Sequence, residues 1–273
     1  MKKRSKGINN RTIYTFLLLL CIIGFWIFEN YYTPATYTEP YPDAEQTIIP
    51  DYFVPGSAKG ELVKHQHYWL SYNEKYEQAE WVGYKLKKSH LTHDDRKRPF
   101  FIEDPKVKSK SADVKNYRNS GYDRGHLCPA GDRRFAEFAY KETFYTSNIA
   151  PQKRDFNAGI WNRLEKKVRF WSKRYETLYI FSGGILEKGL PRIGQEDVAV
   201  PRRFYKIIVR GSEDNPKLLA FLIPHQETSQ PLENYLTTID SIEHLSGINF
   251  FQHLPDKQED EIERNVNRGG WKF

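Results

Sequence analysis

Residues 122–131 constrain this chain more than any other part of its sequence, because they place an imidazole, a guanidinium and a carboxylate around one glycine. Arg124 and His126 stand two positions apart, and side chains at i and i+2 of an extended segment share a face. Asp123 then points to the opposite face, which suits a supporting role, and Gly125 permits close approach of another backbone. A lone histidine is more often an ordinary structural residue. Its unperturbed pKa of about 6.5 nevertheless lets His126 accept a proton from water near neutral pH, which makes it the candidate general base.

The strongest helical pattern in the chain covers residues 158–175, where apolar residues recur at helical spacing. Asn157, Glu165 and Arg169 follow one flank of this helix, because positions four apart drift slowly around a 3.6-residue turn. Asn157 and Glu165 lie roughly 12 Å apart along the axis at about 1.5 Å per residue, so they cannot both ligate a small cation directly. One of them can bind the ion while the other holds its coordinated waters, which suits Mg²⁺.

Ordinary structural roles compete with this interpretation of the helix. Asn157 is a common residue type for a helix N-cap, and Glu165 is spaced to pair with Arg169 one turn later. The helix is also locally basic, which fits either a solvated face or a surface that follows a phosphate backbone. Its basic residues are Arg163, Lys166, Lys167, Arg169, Lys173 and Arg174.

The first 32 residues have the layout of a signal anchor or a signal peptide. Residues 2–11 are basic, and residues 13–28 are almost wholly apolar. This run is slightly shorter than the about 20 residues that a spanning helix prefers. No small-x-small cleavage site follows it, so we expect an uncleaved membrane anchor with the rest of the chain outside the cytoplasm, periplasmic or extracellular. Secretion after cleavage of a signal peptide is the alternative.

The remainder is expected to be a tether at residues 33–60, which contains five prolines, followed by one domain at residues 61–273. Residues 67–86 predict a β-hairpin, and residues 94–120 read as a charged surface stretch. Further strands are predicted at residues 177–186, 203–210 and 217–224, further helices at residues 133–144 and 232–245, and a solvated helix or tail at residues 256–263.

Composition permits a nucleic-acid partner without demanding one. The formal net charge is +7, but residues 1–30 hold five basic residues against one glutamate, so +4 lies there and +3 remains for the rest. An aromatic content of 15% with mixed charge indicates a globular chain rather than a disordered one. Cys21 lies in the apolar run and Cys128 in the motif, so no intrachain disulfide is predicted.

The sequence Asp-Arg-Gly-His-Leu at residues 123–127 resembles the active-site signature of the DNA/RNA non-specific endonucleases, the family that includes mitochondrial endonuclease G and the secreted Serratia-type nuclease. The resemblance runs from about residue 68 to residue 263 and includes residues 143–152 and 200–206. It implies an α+β fold, with a central antiparallel sheet, flanking helices and an active site built as a ββα-metal finger.

The resemblance also implies a catalytic core. It matches His126 with the general base, Asn157 with the residue that directly ligates Mg²⁺, and Glu165 with the residue that holds metal-bound water. Mn²⁺ is expected to substitute for Mg²⁺. One visible departure is Cys128, where the family more often has a small or apolar residue, and a free thiol there is open to oxidation.

Substrate contacts follow from the same resemblance. Arg124 and Asn148 match positions that line the scissile phosphate, and Arg169 matches an arginine that contacts the substrate or stabilises charge. The family's upstream arginine falls by spacing on Lys97, and we choose its neighbour Arg98 as the substrate-binding residue.

The leading hypothesis is therefore a membrane-tethered or exported, Mg²⁺-dependent endonuclease that cuts DNA and RNA with little sequence preference. A non-catalytic nucleic-acid-binding module on the same scaffold is one alternative. A phosphodiesterase that acts on a small phosphoester is another, although a basic helix flank suits a polymer better. A homodimer is compatible with the sequence.

Overall fold

The apolar run near the N-terminus folds as a 22-residue helix, α1 (Asn10–Tyr31), which at about 1.5 Å per residue reaches about 33 Å. The computed structural model describes residues 9–31, 49–56, 59–93 and 95–273. An 18-residue window of α1, Asn10–Ile27, has a mean hydropathy of 1.6, so this helix could cross a membrane by length and composition. Most of the predicted basic flank, residues 1–8, lies outside the described residues. The chain divides into two compact units, residues 1–34 and residues 35–273.

Eleven strands lie in the described part of the second unit. They are β1 (Glu61–Lys64), β2 (Trp69–Asn73), β3 (Gln78–Lys87), β4 (Asp123–His126), β5 (Ile149–Gln152), β6 (Thr177–Gly184), β7 (Arg192–Ile193), β8 (Val198–Ala199), β9 (Arg203–Arg210), β10 (Lys217–Pro224) and β11 (Leu236–Thr237). Seven of them form the central sheet, in the order β1-β2-β3-β6-β9-β10-β11, and every neighbouring pair is antiparallel. β4 pairs with β5 and β7 with β8 in two hairpins outside that sheet.

Helices cover both faces of the sheet. They are α2 (Glu137–Glu142), α3 (Arg154–Phe156), α4 (Asn162–Tyr175), α5 (Ile239–Ser246) and α6 (Asp256–Glu263). Side chains of β9 alternate between two cores, as the two-residue period of a strand requires. Phe204 and Ile208 pack in the core that contains the apolar side of α4, whereas Tyr205 and Ile207 pack in the core that contains α5. This arrangement confirms the predicted α+β fold with a central antiparallel sheet and flanking helices.

The predicted hairpin at residues 67–86 and the three predicted later strands are present, but the single helix predicted at residues 232–245 is wrong. Residues Leu232–Tyr235 form a 3-10 turn, and β11 pairs with β10 before α5 begins. The break follows from the Thr238 side chain, which accepts a hydrogen bond from the Ser241 N–H at 3.2 Å and caps a new helix.

Part of the predicted tether packs against the sheet. Residues 49–56 fall in the predicted tether, yet Ile49 and Phe53 are buried and the Phe53 ring lies 5.4 Å from that of Tyr179. These apolar side chains therefore help to cover the sheet. Tether residues 33–48, 57 and 58 lie outside the described residues.

The stretch at residues 94–120 is also more than a charged surface. Phe101 and Ile102 are buried, and Ile102 forms a parallel bridge with Tyr145. Through these contacts, the segment before β4 packs against the segment before β5.

A buried ionic network ties the turn between β1 and β2 to the end of α2. His67 Nδ1 lies 2.6 Å from Glu142 Oε2, and the N–H groups of residues 66 and 67 each donate to this carboxylate at 3.1 Å. His65 Nε2 lies 2.7 Å from Asp104 Oδ2, and its other ring nitrogen lies 3.6 Å from Glu142. Burial alone would raise the pKa of Glu142, but the hydrogen bonds from His65 and His67 lower it to about 2.

We expect Glu142→Gln to lower the free energy of unfolding at pH 7 by about 3–5 kcal/mol, because it removes the buried carboxylate that binds His67 and two backbone N–H groups. The folded pKa of Glu142 lies below its ordinary 4.5, so its contribution is present above pH 4.5 and is lost as the pH falls toward 2. Urea unfolding from pH 7 to pH 2.5 should show parent and variant converging across that window. A constant difference, or none at pH 7, would contradict this account.

Candidate active site

The hairpin of β4 and β5 carries the Asp-Arg-Gly-His sequence. Arg124 faces Pro151 and His126 faces Ile149 across the antiparallel pair. The chain passes from β5 into α3 and then α4, so two short strands and a helix follow one another. The sequence therefore folds into the ββα arrangement that its resemblance implied.

Two aromatic rings gather the basic groups of this hairpin. His126 packs 5.5 Å from the ring centroid of Phe101 and 5.0 Å from that of Phe144. The guanidinium of Arg124 lies 4.8 Å from the centroid of Phe101, and that of Arg98 lies 5.2 Å and 5.6 Å from the same two rings. The structure thus brings Arg98, Arg124 and His126 together.

His126 is uncharged in this environment. Burial lowers the pKa of its imidazole to about 3, and the positive charges of Arg98 and Arg124 act in the same direction. Its Nε2 is enclosed and has no hydrogen-bond partner in the part of the chain that the structure describes. Neither guanidinium forms an ion pair with a carboxylate among the described residues. A neutral base beside two guanidiniums that lack ion-pair partners among the described residues is an arrangement suited to an anionic substrate.

Asn157 is held by the strand that bears the histidine. Its side-chain Nδ2 donates to Asp123 Oδ2 at 3.2 Å, three residues before His126 on β4. Because a carboxylate can only accept this bond, the amide nitrogen of Asn157 must face Asp123. The amide oxygen Oδ1 then has no hydrogen-bond partner among the described residues. The alternative role as an N-cap is not what the structure shows, because Lys153 occupies the cap position of α3.

A π-helical segment, Asn157–Trp161, joins α3 to α4 and is kinked at Gly159. The Glu227 carboxylate accepts a hydrogen bond from the Ile160 N–H at 2.7 Å through this opening. A Cβ on Gly159 would lie 1.8 Å from Glu227 Oε2, so glycine is required for the close approach. The kink places Asn157 outside the regular turns of α4, as is common for π segments at functional sites.

Glu165 and Arg169, both on α4, belong to a second network of charged side chains, which includes Asp132. Arg169 Nη1 donates to Asp132 Oδ1 at 2.8 Å and lies 3.9 Å from Glu165 Oε2, so its closer partner is Asp132. Tyr84 donates its hydroxyl to the other Asp132 oxygen at 3.0 Å. Burial raises the pKa of Glu165 to about 7, against the opposing positive charges of Lys206 and Arg169.

A sequence model described as DNA/RNA non-specific endonuclease matches residues 47–257. The chain belongs to this nuclease family. Over 240 residues it is 34% identical to the mitochondrial nuclease EXOG of Mus musculus, a match that covers 81% of this chain and 65% of that protein. It is 34% identical over 221 residues to mitochondrial endonuclease G of Homo sapiens, covering 74% of this chain and 73% of that protein.

The solved structure of the EndoG/EndoGI complex, which concerns EndoG inhibition, superposes with a TM-score of 0.68 at 33% identity. The superposition covers 76% of this chain and 91% of the chain in that structure. The chain spans slightly less than two thirds of the length of the EXOG proteins that it matches. The family resemblance seen in the sequence is thus confirmed.

Asn148 has a backbone-binding role in this nuclease-family structure. It is fully buried, and its Nδ2 donates to the carbonyls of Cys128 and Thr143 at 3.0 Å and 2.9 Å. Its Oδ1 accepts from the Cys128 N–H at 2.8 Å. All three bonds hold the chain that follows His126, so the structure places Asn148 behind the site. Both Cys128 and Cys21 are free thiols.

We expect Asn148→Ala to lower the free energy of unfolding by about 2–3 kcal/mol, because the buried backbone groups of Cys128 and Thr143 lose their partners. Cleavage should fall as well, since the strand that carries His126 is held by these bonds. Replacement of the exposed Asn234 by alanine is the control. Thermal unfolding and cleavage rates would be measured on both, and an unfolding midpoint for Asn148→Ala equal to that of Asn234→Ala would contradict the assignment.

Several residues of the site could not be singled out from the sequence. Phe144 joins Phe101 in the aromatic base of the basic cluster, yet the sequence gives Phe144 no sign of this role. Asp132 and the fully buried Lys206 face Glu165 from the chain after β4 and from β9. The only available signal for Asp132 was its place six residues after His126.

Proposed function

We propose that this chain is an endonuclease that hydrolyses phosphodiester bonds of DNA and RNA with little sequence preference and depends on Mg²⁺. One observation carries the proposal: the neutral His126 lies beside the guanidiniums of Arg98 and Arg124, on the strand that also orients Asn157. A phosphodiester requires a base for the attacking water and positive charge around the phosphate, and this cluster contains both.

The residues present fit a hard divalent cation. The free Oδ1 of Asn157 is the kind of oxygen ligand that Mg²⁺ takes, and Asp123 fixes its orientation through Nδ2. Glu165 would hold waters of the ion. When bound, Mg²⁺ would neutralise charge on the phosphate and assist the leaving oxygen, and Mn²⁺ would do the same.

His126 accepts a proton from the water that attacks phosphorus. The negative charge of a bound phosphate raises the pKa of the imidazole from its value in the free protein, which makes the ring a better base once substrate is present. Arg98 and Arg124 bind the non-bridging oxygens and stabilise the charge that develops there. Asn148 and Arg169 act as positioning residues, through Cys128 and Asp132 respectively. Contacts to phosphate carry no base information, so low sequence preference follows.

Three substrates separate this function from its alternatives. We expect the full-length protein in detergent to cleave a closed circular plasmid and an RNA transcript of unrelated sequence with rate constants within about tenfold of each other, because both present the same phosphates. A small chromogenic phosphodiester should react far more slowly. Binding of both polymers without cleavage would support the binding module instead, and preference for the small ester would support the phosphodiesterase.

We also propose that α1 is an uncleaved anchor, with the nuclease domain outside the cytoplasm. The basic residues before position 12 and the helix Asn10–Tyr31 support it. Cells would be fractionated and then treated with external protease after permeabilisation of any outer barrier. Full-length protein in the membrane pellet, with its domain digested, is the expected result. A soluble, N-terminally shortened form would indicate a cleaved signal, and a protected cytoplasmic domain would overturn the topology.

A further inference from the structure

Three carboxylates from the two C-terminal helices converge on the side of the sheet away from α4. Asp240 and Glu243 belong to α5, and Glu263 is the last residue of α6. One oxygen from each carboxylate lies within 4.8 Å of the others. This spacing suits a cation that binds oxygens at about 2.3–2.6 Å.

Glu263 is the most buried of the three carboxylates. It is 7% exposed, and its Oε1 is enclosed with no hydrogen-bond partner among the described residues. Its place at the C-terminal end of α6 is also unfavourable for a negative charge, because the helix dipole is negative there. A buried carboxylate in this position requires either a proton or a cation.

The charged groups named around this carboxylate in the described part of the chain are themselves acidic. They are Glu243, Glu259, Asp240 and Asp260. Arg264 forms its ion pair with Asp260 at 2.8 Å. No lysine, arginine or histidine in the described part of the chain forms an ion pair with Asp240, Glu243 or Glu263.

We propose that Asp240, Glu243 and Glu263 form a structural Ca²⁺ site that fastens α6 to α5. Ca²⁺ accepts carboxylate ligands in flexible geometry and gives up water readily, whereas Mg²⁺ demands a stricter octahedron and keeps several waters. Asp240 is the most exposed of the three carboxylates and provides an entry path, and a hydrogen bond of 2.7 Å from the Phe250 N–H orients the Glu243 carboxylate. This site is separate from the catalytic hairpin, because α5 and α4 pack in different cores.

Thermal unfolding of the full-length protein in detergent tests the proposal without reference to cleavage. After treatment with chelator and its removal, about 5 mM CaCl₂ should raise the unfolding midpoint by roughly 3–6 °C, as expected for sub-millimolar affinity. MgCl₂ at the same concentration and NaCl at the same ionic strength should have much smaller effects. Glu263→Gln should remove the response to Ca²⁺, because the amide cannot supply the carboxylate oxygen that the ion needs.

Glu261→Gln is the matched control, since it makes the same change at an exposed position of the same helix and should respond to Ca²⁺ as the parent does. Asp240→Asn, at an exposed position, should also lose the response and guards against misfolding of the Glu263 variant. The proposal is overturned if Ca²⁺ does not raise the parent's midpoint, which would mean that Glu263 keeps a proton instead. It is overturned equally if Glu263→Gln and Asp240→Asn keep the full response.

Discussion

Replacement of His126 by alanine is expected to lower the rate of plasmid cleavage by about 10²–10⁴-fold, the usual cost of removing a general base. The fold should survive, because the ring only packs on Phe101 and Phe144 and makes no hydrogen bond among the described residues. Cleavage of supercoiled plasmid would be followed over time at saturating Mg²⁺, with circular dichroism as the check on folding.

The exposed His253 supplies the control for this experiment. His253→Ala should cleave at the parental rate, since that histidine lies in the segment between α5 and α6. A His126→Ala protein that is folded and remains within a few fold of the parent would remove His126 from the role of base.

Replacement of Asn157 by alanine is expected to raise the Mg²⁺ concentration required for half-maximal cleavage by more than tenfold. The variant loses the amide oxygen whose direction Asp123 sets, whereas Arg98 and Arg124 remain for binding phosphate. Binding of DNA without metal should therefore change little. Metal titrations of cleavage and metal-free binding isotherms would measure the two effects separately.

Asn162→Ala is the matched control, because this asparagine lies one turn further along and only donates to the Ala158 carbonyl at 3.3 Å. Its metal titration should overlay that of the parent. Equal Mg²⁺ midpoints for Asn157→Ala and Asn162→Ala would show that Asn157 is not the ligand.

Local patterns in the sequence predict the parts of the site that depend on near neighbours. The alternation of β4 places Arg124 and His126 together, and helical spacing places Glu165 and Arg169 on one flank of α4. The roles of Asn148 and Arg169 depend on distant partners instead. The Asn148 amide binds the backbone of Cys128, and the Arg169 guanidinium binds Asp132. The periodicity of the sequence does not predict either contact.

The structure at the start of α4 also depends on a distant residue that local sequence patterns do not identify. Its pattern predicts a continuous helix from residue 158, with Asn157 as an N-cap or a ligand. The kink at Gly159 depends on Glu227, which reaches the Ile160 N–H from 67 residues further along the chain. Only the folded chain shows that this contact sets Asn157 apart from the regular turns of α4.

The central claim is that this hairpin and helix cut nucleic acid with the help of a divalent cation. Supercoiled plasmid incubated with the full-length protein in Mg²⁺, in chelator, and in chelator followed by excess Mg²⁺ tests it directly. The account predicts nicked, then linear, then short DNA in Mg²⁺, no cleavage in chelator despite continued binding, and recovery when Mg²⁺ returns. Cleavage that persists unchanged in chelator, or plasmid that stays intact in Mg²⁺ while bound, would contradict it.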